Sequence, residues 1–119
     1  MSDEAGWIVE SPTKRWRIET TMWEAFNTHW VATPTLVEAA TGRKLFAFGD
    51  HRWSLDETKW LDDDTVELTV RRYPGNHTPA DLVATVNCSA ESARVGDHDW
   101  APLAQLEAAL DAALTWRYG

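Results

Sequence analysis

The chain has 119 residues, 44% of them apolar, and a formal net charge of −8 from 19 acidic against 11 basic side chains. That length is near the commonest domain size and buries roughly two-thirds of the unfolded surface, so one domain spanning 1–119 can build a core without metal or disulfide. The acid excess argues against nucleic-acid binding, which needs clustered Lys and Arg against phosphates, and against an anionic membrane surface.

In chain order, the polar start MSDEAG (residues 1–6) is expected to be loose and offers no signal-peptide core. Trp7-Ile8-Val9 reads as an edge strand. From Arg15 to Trp23 the pattern has period two, with Trp16, Ile18 and Met22 on one side and Arg15, Arg17 and Glu19 on the other. The next stretch reads two ways. Thr21-Met22-Trp23-Glu24 fits a capping box, with Trp23, Phe26 and Trp30 on one helical face. However, HWVAT is β-rich and runs into Pro34, and the residue before a proline avoids the helical region, so a strand is expected over Thr28 to Ala32.

Leu36 to Ala40 and Lys44 to Phe48 form the clearest hairpin, joined through Thr41-Gly42-Arg43. Ser54-Leu55-Asp56-Glu57 has the form of a capping box and predicts a short helix over 55–61. Thr65 to Arg71 alternates strictly, with Val66, Leu68 and Val70 inward, and ends at the turn Tyr73-Pro74-Gly75-Asn76. Asp81 to Cys88 gives another strand, with Leu82, Ala84 and Val86 on one face. From Pro102 to about Trp116, Leu103, Leu106, Leu110, Ala113 and Leu114 recur on one face of an amphipathic helix, with Asp99 as its cap. The fold class read from these elements is α+β: a meander-like antiparallel sheet of five or six strands, the C-terminal helix packed on one face, and one short helix near 55–61.

Eight tryptophans stand in this short chain, and Trp16, Trp23 and Trp30 are seven apart, as are Trp53 and Trp60. On a helix that interval keeps one face; on a regular strand it puts neighbours on opposite faces. Trp16 reads as sheet core. Trp53, Trp60, Trp100 and Trp116 bracket the two expected helices as docking residues.

Two near-repeats, FGDHRW and VGDHDW, each stand before an expected helix. Their turn chemistry is sufficient explanation, but Asp50, His51, Asp97 and His98 would suit a metal if the two loops converged. No phosphate-cradling glycine loop, nucleophile elbow or paired-cysteine motif is present, so no cofactor is expected. The lone Cys88 in its strand reads as packing, and with the absent disulfide it points to the cytoplasm.

Acids crowd one segment: Asp56, Glu57, Asp62, Asp63, Asp64 and Glu67, relieved there by Lys59. With Trp53 or Trp60 as an aromatic anchor, Asp56, Glu57, Asp62, Asp63 and Asp64 would form a docking rim for a basic protein partner. The leading expectation is thus a small cytosolic, non-enzymatic protein-binding module, of the inhibitor or immunity type. The same aromatic patch would serve a homodimer. The alternatives are a small-molecule binder with a Trp-lined pocket and a metal-dependent enzyme using the two Gly-Asp-His loops.

Overall fold

The structure, a computed structural model, describes residues 4–25 and 30–116. Four strands form the first sheet in sequence order: β1 (Glu4–Glu10), β2 (Trp16–Glu24), β3 (Trp30–Glu38) and β4 (Lys44–Ala47). The second sheet uses β5 (Trp53–Trp60), β6 (Thr65–Arg72), β8 (Leu82–Asn87), β9 (Ser92–Val95) and β10 (Ala101–Pro102), in the order β10-β9-β8-β6-β5. A two-stranded ribbon pairs β7 (His77–Thr78) with β11 (Thr115–Trp116). Between β10 and β11 a 3-10 turn, Leu103–Gln105, leads into the single α-helix α1 (Leu106–Ala112). Every pairing is antiparallel.

Alternation drives this arrangement. β2 turns Trp16, Ile18 and Thr20 inward, β6 buries Val66, Leu68 and Val70, and β8 buries Leu82, Ala84 and Val86. Leu36 of β3 joins them, with Trp53 and Leu55 from β5, and Leu103, Leu106, Leu110 and Leu114 close the core. The expected hairpin forms at Gly42, whose φ of 74° suits a residue without Cβ. Pro34 lies inside β3 opposite Thr20; β4 begins pairing only at Thr35, so the proline falls where β3 has one ladder partner. The sheets are tied at β3 and β5, where the Ala32 N–H donates to the Ser54 hydroxyl at 3.1 Å.

Several expectations are corrected. The broad α+β, sheet-rich class holds, but the described residues form three sheets rather than one of five or six strands. The additional strands β7, β10 and β11 have two residues each and β9 four, too few for a periodic pattern to register. The helix over 55–61 is instead strand β5. A helix that short is marginal alone, whereas β6 offers a ladder from Trp53↔Arg72 to Trp60↔Val66. Its supposed capping serine holds β3 instead.

The C-terminal helix keeps its leucine face but is shorter than Pro102 to Trp116. Thr115 and Trp116 leave it to pair with Thr78 and His77, and no side chain caps either helical segment at its start, so Asp99 has no such role. The polar start is in part ordered, since β1 begins at Glu4. Of the strand expected over Thr28 to Ala32, Trp30 to Ala32 belong to β3; Thr28, His29 and Phe26 lie outside the described residues.

The tryptophan interval has two outcomes. β2 pairs with β3 without interruption, so Trp16 faces the core and Trp23 the opposite side. β5 carries a bulge between Leu55 and Glu57, where Asp56 is the extra residue. That residue resets the parity, and Trp53, Leu55, Thr58 and Trp60 all oppose core-facing partners or neighbours.

Candidate functional site

The acidic segment is largely used inside the molecule. Asp62 Oδ1 accepts the N–H groups of Asp64 and Thr65, both at 2.8 Å, and so builds the β5–β6 turn. Asp63 Oδ1 accepts the Thr13 N–H at 2.8 Å, and the Thr13 side chain first, with this N–H second, holds its carboxyl below the usual range. Asp64 is lowered first by Ser89 and then by Trp16, whose indole N–H donates to its Oδ1 at 3.0 Å. Asp56 meets Arg71 Nε at 3.2 Å. Trp53, expected as a surface anchor, is 1% exposed and stacks on Phe48 with ring centroids 5.4 Å apart. Trp60 is half-buried against the core, and Glu57 is exposed on β5. Neither tryptophan offers an open ring. The apolar side chain that does stand out here is Leu61, 49% exposed beside the acids.

The two Gly-Asp-His loops meet different neighbours. In the first, Glu107 of α1 accepts the N–H groups of Gly49 and Asp50 at 2.7 and 3.0 Å. Asp50 is gripped by Arg52 at 2.8 Å and by Arg72, and these cations, Arg52 foremost, hold its carboxyl well below the usual range. Arg72 also meets Asp111 at 2.6 Å. The His51 carbonyl accepts from the Trp23 indole and the Thr33 hydroxyl, each at 2.8 Å, and its ring tilts against Trp23. Asp97 and His98 of the second loop instead line a hollow together with Pro79, Val83 and Ala113. Among the described residues no three His, Cys, Asp or Glu side chains are grouped to hold a metal. Of the Asp50, His51, Asp97 and His98 set, the first loop's carboxylate is already neutralised by Arg52 and Arg72.

His77 is fully buried, its Nδ1 2.7 Å from the Pro79 carbonyl. With the proton there, Nε2 accepts the Arg72 N–H at 3.2 Å, and the ring meets Trp116 edge-on at 5.0 Å. It is a structural clasp for β7 and β11. Cys88 is pushed up to about 12 by burial and then by Asp64, so it is no nucleophile near neutral pH.

What the fold leaves open is a cleft of about 310 Å³ between α1 and the edge of β9. β10 pairs only with Ala93 and Ser92, so beyond Ala93 the edge of β9 has no strand beside it. On α1 and just past it, Ala109, Ala112 and Ala113 recur at three- and four-residue spacing, one helical face with short side chains, which leaves a trough. Ala93, Val95, Ala101, Pro102 and Leu106 complete the apolar walls, while Arg94, His98, Asp99 and Gln105 supply polar groups. Such an apolar concavity with few polar groups is the usual form of a small-molecule site. The Arg94 guanidinium lies 5.1 Å from the ring centre of Trp100, which is 45% exposed. A shallower hollow of about 560 Å³ shares Val95, His98 and Ala113 with the cleft.

No protein-family model, curated protein or solved structure matches this chain. The cleft's signal was present in the sequence as alanines between the leucines of α1, but a helical pattern reveals its buried face more readily than a missing volume beside it. No helix among the described residues is long and apolar enough to cross a membrane.

Proposed function

We propose that this chain is a non-catalytic binding domain whose ligand is a small, mainly apolar molecule held between α1 and β9. The observation that carries this reading is the alanine-lined cleft of about 310 Å³, open at an unpaired strand edge. It replaces the Trp-lined pocket with one walled by small side chains and bordered by a single tryptophan-stacked arginine. The test is a fragment screen read by NMR on the methyl groups of Ala93, Ala101 and Ala109. Ala109→Trp fills the trough from an exposed position, so it should abolish fragment binding while leaving the melting temperature within about 3 °C. Fragments bound equally well by this variant would refute the assignment.

A second reading keeps the protein partner. The exposed Leu61 beside Asp62, Asp63 and Asp64, in a chain of net charge −8, suits a basic surface with one apolar socket. A role as inhibitor of a basic protein in the cytoplasm belongs to this reading, the location resting on the single cysteine. Leu61→Glu should weaken capture of such a partner from a panel of basic proteins, and binding should fall with salt. Retention unchanged by both would dismiss it.

A further inference from the structure

Arg15, Arg17, Arg43, Arg52, Arg71 and Arg72 each lie within ion-pair distance of a carboxylate. Among the described residues Arg94 is the arginine without one, although the chain carries 19 acids. Its Nε is buried with no hydrogen-bond partner, and its guanidinium rests near the Trp100 ring at the border of the cleft. A buried donor left unpaired is costly, and more so on a charged group. Asp99 shares the cleft lining yet forms no ion pair with it. On the strand, Arg94 alternates with inward-facing Ala93 and Val95, so it stands at the rim and not on the cleft floor.

We propose that the ligand of this cleft is an organic carboxylate, its acid group paired with Arg94 and its apolar body lying along Ala109, Ala112 and Ala113. One guanidinium fork matches one carboxylate with two parallel N–H···O bonds, and the Trp100 ring 5.1 Å from the guanidinium adds a cation–π contact that does not use its N–H groups. A monoanion is favoured over a phosphate dianion because Asp99 lies in the same lining and the protein is net acidic. This inference rests on the cleft being the binding site.

The experiment titrates matched pairs of acids and their neutral amides (octanoate and octanamide, phenylbutanoate and phenylbutanamide) into the full chain, followed by NMR. Each acid should bind roughly tenfold or more tightly than its amide. Arg94→Gln should erase that preference without abolishing the amide's weak binding, and Arg94→Lys should restore part of it. Amide resonances across the sheets establish that each variant is folded. Equal binding of acid and amide in the cleft overturns the carboxylate inference and leaves the cleft reading standing. Failure of both members to shift the cleft methyls overturns both, and an acid that shifts other arginines instead places the anion elsewhere and overturns the inference.

Discussion

Replacing Trp53 by alanine separates the two roles open to this residue, because a surface anchor and a core ring have very different weights in stability. The indole is 1% exposed, stacked on Phe48 and approached by the Arg72 guanidinium at 5.9 Å. Its burial removes roughly 150–250 Å² from water, about 4–6 kcal/mol gross at about 25 cal/mol per Å². Because alanine retains part of that area and neighbours relax, the expected net cost of Trp53→Ala is about 3–5 kcal/mol. A domain of this length has roughly 6–18 kcal/mol in total, so a substantial share would go. With a urea slope of about 2 kcal/mol per molar, the midpoint should fall by roughly 1.5–2.5 M. Trp100→Ala, at an exposed ring, should cost no more than about 1 kcal/mol including its contact with Arg94. Both are measured by equilibrium urea unfolding followed by far-UV circular dichroism, which does not depend on the indoles removed. Should Trp53→Ala not fold, Trp53→Phe keeps the stack on Phe48 and should cost about 1–2 kcal/mol. A Trp53→Ala protein within about 1 kcal/mol of the parent, or a Trp100→Ala protein equally weakened, would refute the placement of Trp53 in the core.

Glu107→Ala removes the carboxylate that accepts the Gly49 and Asp50 N–H groups; hydrogen exchange at those two amides should accelerate while β6 and β8 stay protected, and unchanged protection would show that the clasp is absent in solution. Asp50 has a folded value below its ordinary 3.8, so its stabilising contribution is complete above that pH and is lost as pH falls through the folded value. Asp50→Asn should thus be less stable at neutral pH by about 1 kcal/mol, a figure kept small for a partly solvated pair, with the gap closing in acid. A gap constant with pH would contradict this. Cys88 should resist a thiol reagent in the native protein at neutral pH and react fully once unfolded, and fast native reaction would contradict its burial.

The strands that carry unbroken alternation were legible from the chain alone: β2 from Trp16 and Ile18, β6 from Val66, Leu68 and Val70, β8 from Leu82, Ala84 and Val86. So was the turn at Gly42. β5 was not, because Ser54 and Glu57 stand at the spacing of a helix start while the bulge at Asp56 breaks the period that would have revealed a strand. Tertiary pairing with β6 outweighs that local preference. At the C-terminus the leucines located the helix, but its end depends on Thr115 and Trp116 finding His77 and Thr78, a pairing between residues far apart in sequence. The acids were visible as a cluster, whereas their use by Thr13, Trp16 and the turn amides belongs to the folded state. The cleft arises where side chains are small and a strand ends early, and its one sequence trace is the alanine pattern of α1.

The bulge in β5 makes chain length, and not only residue identity, part of what this protein encodes. Deleting Asp56 would remove no core side chain and only one surface ion pair, yet it would restore plain alternation. Because Leu55 and Glu57 to Trp60 already oppose consecutive residues of β6, from Val70 to Val66, closing the bulge keeps Thr58 and Trp60 opposite Leu68 and Val66 and leaves Glu57 and Lys59 on the other face. A one-codon loss at this exposed aspartate is therefore expected to cost far less than the loss of Thr58, which would set Lys59 opposite Leu68, an asymmetry that a deletion scan along β5 would display directly.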